Sequence, residues 1–125
     1  MMLDTDVLIW YLRGNEKAAE AVSESLPFSV SVVTYMELLQ GMRNKEEIRI
    51  LKKAFREMDV SVMPINETIS EKAADLVEMF SLSHSMEMAD ALIAATCLAS
   101  GETLFTANDK HYRMIDSLSV EIFRP

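Results

Sequence analysis

The chain has few of the residues that build disulfide or metal–thiolate frameworks. It holds one cysteine, Cys97, and two histidines, His84 and His111, among 125 residues. A single thiol excludes a disulfide framework, and nothing in the spacing resembles a zinc motif. Cys97 lies in an apolar segment, so we expect it to be a small core residue of a protein in a reducing compartment.

A basic leader and a long apolar run are also missing. A secretory signal begins with basic residues and continues with an apolar stretch, whereas here Asp4 and Asp6 come almost at once. The longest apolar run, residues 91–99, is interrupted by Thr96 and is too short to cross a bilayer. We therefore expect a cytoplasmic protein that makes no use of a membrane.

Positive charge is scarce, because 12 Lys and Arg face 20 Asp and Glu, for a net charge of −8. A protein that coats nucleic acid passively is therefore not expected. The basic residues are nevertheless concentrated between positions 43 and 56. On a helix, four of them share one broad face, which is either a candidate RNA contact or a merely solvated surface. These four are Arg49, Lys52, Lys53 and Arg56.

With only three glycines and three prolines, no linker or repeat divides the chain, and we expect one domain over residues 1–125. Apolar, β-branched segments alternate with helical patterns. This alternation predicts an α/β fold in which helices cover both faces of a mostly parallel sheet of four to five strands. The expected strands are 1–3, 28–33, 60–65, 103–106 and 120–123, and the expected helices are 6–12, 16–25, 35–42, 46–58, 67–82 and 86–100.

Four acidic positions lie among apolar residues rather than on polar helix faces. Asp4, with its neighbour Asp6, directly follows the first strand, while Glu37, Asp90 and Asp109 come later, each near a strand end or a helix start. Ligands of parallel sheets bind outside the carboxyl ends of the strands, so these acids are expected to meet in one crevice. They would repel one another unless a cation neutralised them. Carboxylate oxygens suit Mg²⁺ or Mn²⁺, and such sites serve phosphoryl transfer.

Each of these acids also has a purely structural explanation. Asp4 can cap the helix that follows it, and Glu37 can complete a capping box with the threonine three residues before it. Asp90 would need a Lys or Arg partner, which its own helix does not supply. Asp109 belongs to an Asn-Asp turn and can cap a helix over residues 110–115.

Four segments resemble the PIN-domain family and, within it, the VapC-type toxins of bacterial and archaeal toxin–antitoxin pairs. The resemblance implies an α/β/α sandwich, a homodimer, a small cognate antitoxin and a ribonuclease that depends on Mg²⁺ or Mn²⁺. It implies that metal-activated water cleaves the RNA and leaves a 5′-phosphate, and it assigns metal-binding and catalytic roles to Asp4, Glu37 and Asp90. The segments are LDTDVLI (3–9), SVVTYMELLQG (31–41), MADALIAATCLASGETLFTANDKHY (88–112) and the closing strand before FRP.

The chain departs from the family pattern at the fourth acid. This acid usually follows the threonine of the late strand, here Thr106, and we expect Asp109 to be the fourth metal ligand and catalytic acid. By family register the position falls on Asn108, which offers an amide oxygen but no charge. Asp6 stands where the family often has Asn, so it is either an extra ligand or a cap. His111 stands where an aspartate is common.

Three other functions compete with this one. The triplet Asp4-Thr5-Asp6 mimics the start of haloacid-dehalogenase-type phosphatases, but the Lys and the later paired acids of that family are not found. A phospho-acceptor receiver domain needs an aspartate at the end of its third strand, where VMPIN has none. A catalytically weak PIN-like binding or scaffold module would be expected to have lost a core acid, and all three are present.

Overall fold

Five short strands alternate with helices in the computed structural model, which describes residues 1–125. The strands are β1 (Met2–Leu3), β2 (Ser29–Ser31), β3 (Ser61–Met63), β4 (Leu104–Thr106) and β5 (Val120–Ile122). The helices are α1 (Thr5–Leu12), α2 (Glu16–Glu24), α3 (Val32–Gln40), α4 (Lys45–Glu57), α5 (Glu67–His84) and α6 (Met88–Ser100). A short 3₁₀ turn, Asp109–His111, follows β4.

The five strands form one parallel sheet in the order β3-β2-β1-β4-β5. Met2 in the central strand lies opposite Ser29 on one side and Leu104 on the other. The chain steps outward from β1 to β3 and then returns to the far side of β1, so the strand order reverses between β1 and β4. Parallel sheets bind ligands at such a switch point, outside the carboxyl ends of the strands. The predicted fold class is confirmed.

Alternate residues of each central strand enter two separate cores, because successive side chains of a strand point to opposite faces. Met2 and Leu104 pack with α5 and α6 on one face of the sheet. Leu3 and Phe105 pack with α1, α2, α3 and α4 on the other. The sheet is therefore sandwiched between two helical layers, as expected for an α/β/α sandwich.

The boundary between β2 and α3 was predicted wrongly. The expected strand continues to residue 33, but β2 ends at Ser31, and Val32 and Val33 belong to the helix. The Ser31 hydroxyl accepts a hydrogen bond from the Val33 N–H at 3.1 Å and so caps α3. Thr34 consequently lies inside the helix, and the capping-box explanation of Glu37 is wrong. The β-branched pair favoured a strand, but the serine cap and packing against the core decide for the helix.

The remaining element boundaries differ from expectation by a few residues. Helix α5 continues to His84, and α6 begins at Met88 rather than at residue 86. The helix proposed for residues 110–115 is instead the 3₁₀ turn Asp109–His111. None of the helices is both long enough and apolar enough to cross a membrane.

Candidate active site

Asp4 connects the central strand to the first helix and is 5% exposed. It is the N-cap of α1, where its Oδ1 accepts the Thr5 N–H at 2.8 Å. Its Oδ2 accepts the Thr106 hydroxyl at 2.8 Å and the Tyr112 hydroxyl at 3.0 Å. The capping explanation is therefore correct but incomplete, because the same carboxylate is also held from across the sheet. All of these donors are neutral, so they orient the carboxylate without cancelling its charge.

Asp6 lies beside Asp4 at the same edge of the sheet. Its Oδ2 accepts the Ala107 N–H at 3.0 Å and is 3.4 Å from the Thr106 hydroxyl, which also serves Asp4. Burial and the negative charge of Asp4 raise the pKa of Asp6 to about 6. Burial likewise raises the pKa of Asp4. Two acids with raised pKa values therefore share one threonine.

Asp90 approaches this pair from the first turn of α6. Its Oδ1 is 3.4 Å from the Tyr112 hydroxyl and its Oδ2 is 3.5 Å from His111 Nδ1. Burial raises the pKa of Asp90 above its usual value. His111 opposes this shift, and the negative charge of Asp4 adds to it. The Tyr112 hydroxyl thus lies between Asp4 and Asp90. No Lys or Arg pairs with Asp90, so the salt-bridge explanation does not hold.

Glu37 reaches the start of α1 from the neighbouring helix α3. Its Oε1 accepts the hydroxyl of Thr5 at 2.7 Å, and the same hydroxyl is 3.0 Å from the Thr34 hydroxyl. Because Thr5 follows Asp4 directly, Glu37 is placed next to the crevice. It makes no hydrogen bond to the other three acids, and no group of three His, Cys, Asp or Glu side chains lies together as a complete metal cage.

Asp109 lies at the rim of the crevice, and its partner is Arg124. The Arg124 Nη2 donates to Asp109 Oδ1 at 3.1 Å, and this interaction lowers the pKa of Asp109. Asn108 donates its backbone N–H to the Thr106 hydroxyl at 3.0 Å, and its side chain does not cap the turn. Neither side chain hydrogen-bonds to Asp4 or Asp90, so Asp109 as the fourth ligand stays a prediction.

The crevice has satisfied hydrogen bonds but unbalanced charge. Every buried side-chain nitrogen and oxygen has a hydrogen-bond partner. Asp4, Asp6 and Glu37 take part in none of the ion pairs, and the partner of Asp90 is a histidine. Magnesium keeps several waters and needs only one or two protein carboxylates. Carboxylate oxygens held by neutral hydroxyls therefore fit such a hard cation even without a three-residue cage.

The basic face of α4 is partly neutralised within the helix. Arg49 pairs with Glu46 at 2.5 Å, and Lys53 lies 3.9 Å from a glutamate of the next turn. Lys52 and Arg56 make no ion pair. Half of the proposed RNA-contacting face therefore carries free positive charge.

A groove of about 710 Å³ opens between α1, α3 and α4. Glu37 lies in its wall, and Asp4, Asp6 and Asp90 do not line it. The apolar part of its lining is formed by Ile9, Leu12, Leu38, Met42, Ile50 and Leu51.

Sequence reasoning missed two residues that hold the acids. The first is Tyr112, which is 1% exposed. A buried tyrosine hydroxyl normally finds a hydrogen-bond partner, but the sequence did not show that Tyr112 is buried. The second is Thr5, whose hydroxyl donates to Glu37, a contact that the sequence did not indicate. His111 was recognised as a departure from the family pattern, but its contact with Asp90 was not foreseen.

Comparison with known proteins identifies the family of the chain. The PIN domain family model matches residues 1–117. Ribonuclease VapC10 of Mycobacterium tuberculosis is 35% identical over 124 residues, which cover 94% of this chain and 90% of the relative. VapBC-1 from nontypeable Haemophilus influenzae matches with a TM-score of 0.79 and 27% identity, over 97% of this chain and 96% of the other. VapBC2 from Rickettsia felis, bound to a promoter DNA fragment, has a TM-score of 0.82 at 18% identity, over 98% of both chains, and supports the fold alone. The chain therefore belongs to the PIN domain family, as one of its VapC-type members.

Proposed function

We propose that the chain is a metal-dependent ribonuclease and the toxin of a toxin–antitoxin pair. One observation carries the proposal: Asp4 shares the Thr106 hydroxyl with Asp6 and the Tyr112 hydroxyl with Asp90, and the partners of these acids are hydroxyls, backbone amides and one histidine. A crevice of this kind takes its counter-charge from a divalent cation, Mg²⁺ or Mn²⁺. Bound there, the ion would activate water and stabilise the charge that develops on a phosphodiester.

The side chains of the crevice have distinct roles in this proposal. Asp4 and Asp90 would hold the metal, and the Tyr112 hydroxyl lies between them, 3.0 Å from Asp4 Oδ2 and 3.4 Å from Asp90 Oδ1. Glu37, which is exposed and free of any ion pair, would accept the proton of the attacking water. Asp109 adds a further oxygen ligand at the rim. Because water rather than the ribose 2′-hydroxyl is the nucleophile, the product carries a 5′-phosphate.

The relatives support this activity over its rivals. VapC10 and VapC19 of Mycobacterium tuberculosis, 35% and 29% identical to this chain, are both named ribonucleases. Membership of the PIN domain family sets aside the phosphatase and the receiver domain. A catalytically weak binding module of the same fold remains the alternative, and a cleavage assay separates it from the nuclease.

The test is cleavage of total RNA by the purified protein with Mg²⁺ or Mn²⁺, with and without EDTA. We expect cleavage that needs the metal, is lost in Asp90→Asn, and leaves 5′-phosphate ends. Glu46→Gln, which removes an acid from the surface of α4, serves as the matched control and should cleave normally. Cleavage that persists in EDTA, or ends with a 2′,3′-cyclic phosphate, would contradict the mechanism.

We also propose a small antitoxin as the partner, since the structural relatives include a toxin–antitoxin complex from Klebsiella pneumoniae. An arginine of the partner, placed near Asp4, Asp90 and Asp109, would pair with the carboxylates that have no Lys or Arg partner, those of Asp4 and Asp90. The apolar groove beside Glu37 would accept a nonpolar segment of the same partner. Binding of purified antitoxin should weaken as Mg²⁺ increases. If its affinity were the same at every metal concentration, the partner would not compete at the metal site.

A homodimer acting on RNA in the cytoplasm completes the proposal. Strongly exposed apolar side chains lie where α5 ends and α6 begins, among them Met79, Leu82 and Met88. Leu82 is 98% exposed, and exposed apolar clusters of this kind often mark interfaces. Light scattering should give the mass of a dimer for the wild type and that of a monomer for Leu82→Glu. A monomeric wild type would remove the dimer from the proposal.

A further inference from the structure

The 3₁₀ turn after β4 and the residue that follows it supply two side chains that contact the acids. His111 occupies a position where the family commonly has an aspartate, and the adjacent Tyr112 contributes the buried hydroxyl. His111 Nδ1 lies 3.5 Å from Asp90 Oδ2. An acid at this position would add a negative charge, whereas the imidazole adds a nitrogen donor.

The separation of these two atoms suits adjacent ligands of a single ion. Ligands about 2.1 Å from an octahedral ion are about 3 Å apart when they are neighbours. The observed 3.5 Å therefore needs only a small adjustment. Both side chains are open to solvent, with 44% of His111 and 22% of Asp90 exposed, so an ion with its waters can reach them.

The orientation of Asp90 is set by its other oxygen. Its Oδ1 faces the Tyr112 hydroxyl at 3.4 Å, which directs Oδ2 towards His111. The imidazole makes no other hydrogen bond or ion pair. The Nδ1 atom of His111 therefore faces Asp90 and has no other partner in the chain.

We propose that His111 Nδ1 is a direct ligand of the metal that Asp90 holds, which makes this a mixed nitrogen–oxygen site. This inference rests on the proposed metal site and adds a ligand to it. Imidazole nitrogen favours transition-metal ions, whereas an all-carboxylate site suits Mg²⁺. The chain should therefore prefer Mn²⁺ over Mg²⁺ more strongly than a variant in which the aspartate is restored.

Pulsed electron paramagnetic resonance of the Mn²⁺-loaded protein tests the ligand directly. A bound imidazole gives ¹⁴N coupling to the manganese, and carboxylates and water do not. We expect this coupling in the wild type and in His84→Ala, which removes the other histidine and is the matched control. It should be absent in His111→Asp and His111→Ala, in which thermal melting checks that the fold is kept.

The outcomes separate this inference from the proposed function. Bound Mn²⁺ without nitrogen coupling in the wild type, or coupling that persists in His111→Asp, overturns the role of His111 and leaves the metal site standing. A wild type that binds no Mn²⁺ at all overturns the metal site itself, and this inference with it. Calorimetry gives a second readout: the ratio of Mn²⁺ to Mg²⁺ affinity should fall on the order of tenfold in His111→Asp.

Discussion

The acids of helix α4 and the acids of the crevice have opposite electrostatic surroundings. Glu46 and Glu47 each accept two hydrogen bonds from an arginine guanidinium, and those arginines lower the pKa of both. Asp4 and Asp6 receive only neutral donors, and burial raises the pKa of both. The surface acids are neutralised by the chain itself. Asp4 and Asp6 take part in no ion pair, which is the property that a metal site requires.

The difference follows from where the partners come from. On α4 the arginines stand three or four residues from the glutamates, so the helix itself brings opposite charges together. Such exposed pairs contribute little to stability. In the crevice the partners of Asp4 come from Thr106 and Tyr112, more than a hundred residues away. The fold therefore holds Asp4 with hydroxyls from distant parts of the chain and pairs neither Asp4 nor Asp6 with a basic side chain.

The sharpest way to break this comparison is to remove one acid from each region. Asp4→Asn, Glu37→Gln and Asp90→Asn should each lower the rate of RNA cleavage at least about 100-fold, because each removes a group that holds the metal or accepts the proton. Cleavage kinetics measure this effect. Melting curves measure stability, and without metal the variants should melt no lower than the wild type, because repulsion between like charges is relieved. Full activity in Glu37→Gln would remove Glu37 from the site. Glu47→Gln on α4 should leave the rate unchanged.

A second substitution concerns Asp109, an acid that was predicted to belong to the crevice but that has a basic partner, as the acids of α4 have. Asp109→Asn should raise the Mg²⁺ concentration needed for half-maximal cleavage roughly tenfold, without removing the first metal. Magnesium titrations of the cleavage rate measure this change. If Asn108→Ala cripples the enzyme and Asp109→Asn leaves it normal, the fourth position belongs to Asn108.

The basic face of α4 gives a smaller effect. Lys52→Glu combined with Lys53→Glu should weaken RNA binding and flatten its salt dependence by roughly 0.7 in logarithmic slope for each lost phosphate contact. Binding titrations at several salt concentrations measure the slope, and the affinity for metal should not change. The control with equal charge change is Lys17→Glu combined with Lys72→Glu, away from α4. An equal slope in both double variants would leave α4 as a merely solvated face.

The smallest expected effect is on stability as a function of pH. The fold raises the pKa of Asp6 from 3.8 to about 6, so between these values the folded protein binds more protons than the unfolded chain. The free energy of unfolding of the metal-free protein should therefore fall as pH rises through about 6. Denaturant unfolding should show a protein more stable at pH 5 than at pH 7, and a smaller difference in Asp6→Asn. An identical pH dependence in the variant would mean that Asp6 does not carry the effect.

The proximity of Asp4 to Asp90 could be expected from the sequence, because each lies at a strand end or a helix start in a parallel α/β fold. The placement of Glu37 and Asp109 in the same site stays a prediction. The hydroxyls that hold the acids could not all be predicted. Whether Tyr112 points at Asp4 depends on the path of the turn after β4, which was expected to be a longer helix. The boundary between β2 and α3 was also missed, because β-branched residues suit a strand, whereas a single serine cap decides for the helix.

The contacts that His111 and Arg124 make with acids could not be predicted from the sequence either. Their contacts with Asp90 and Asp109 join residues that are separated in the sequence by 21 and 15 positions. The positions of the acids in the sequence predicted an acidic crevice that needs a cation. They did not predict which of the acids has a basic partner. Only the packed structure separates Asp109, neutralised by Arg124, from Asp4 and Asp6, which are not neutralised.

Calorimetric titration of the metal-free protein with Mg²⁺ at neutral pH tests the central claim most directly. The account predicts that the wild type and Glu46→Gln bind the ion equally well, and that the double variant Asp4→Asn with Asp90→Asn shows no binding at the same concentrations. Equal binding by the double variant, or no binding by the wild type, would contradict the claim that the unneutralised carboxylates of the crevice form a metal site.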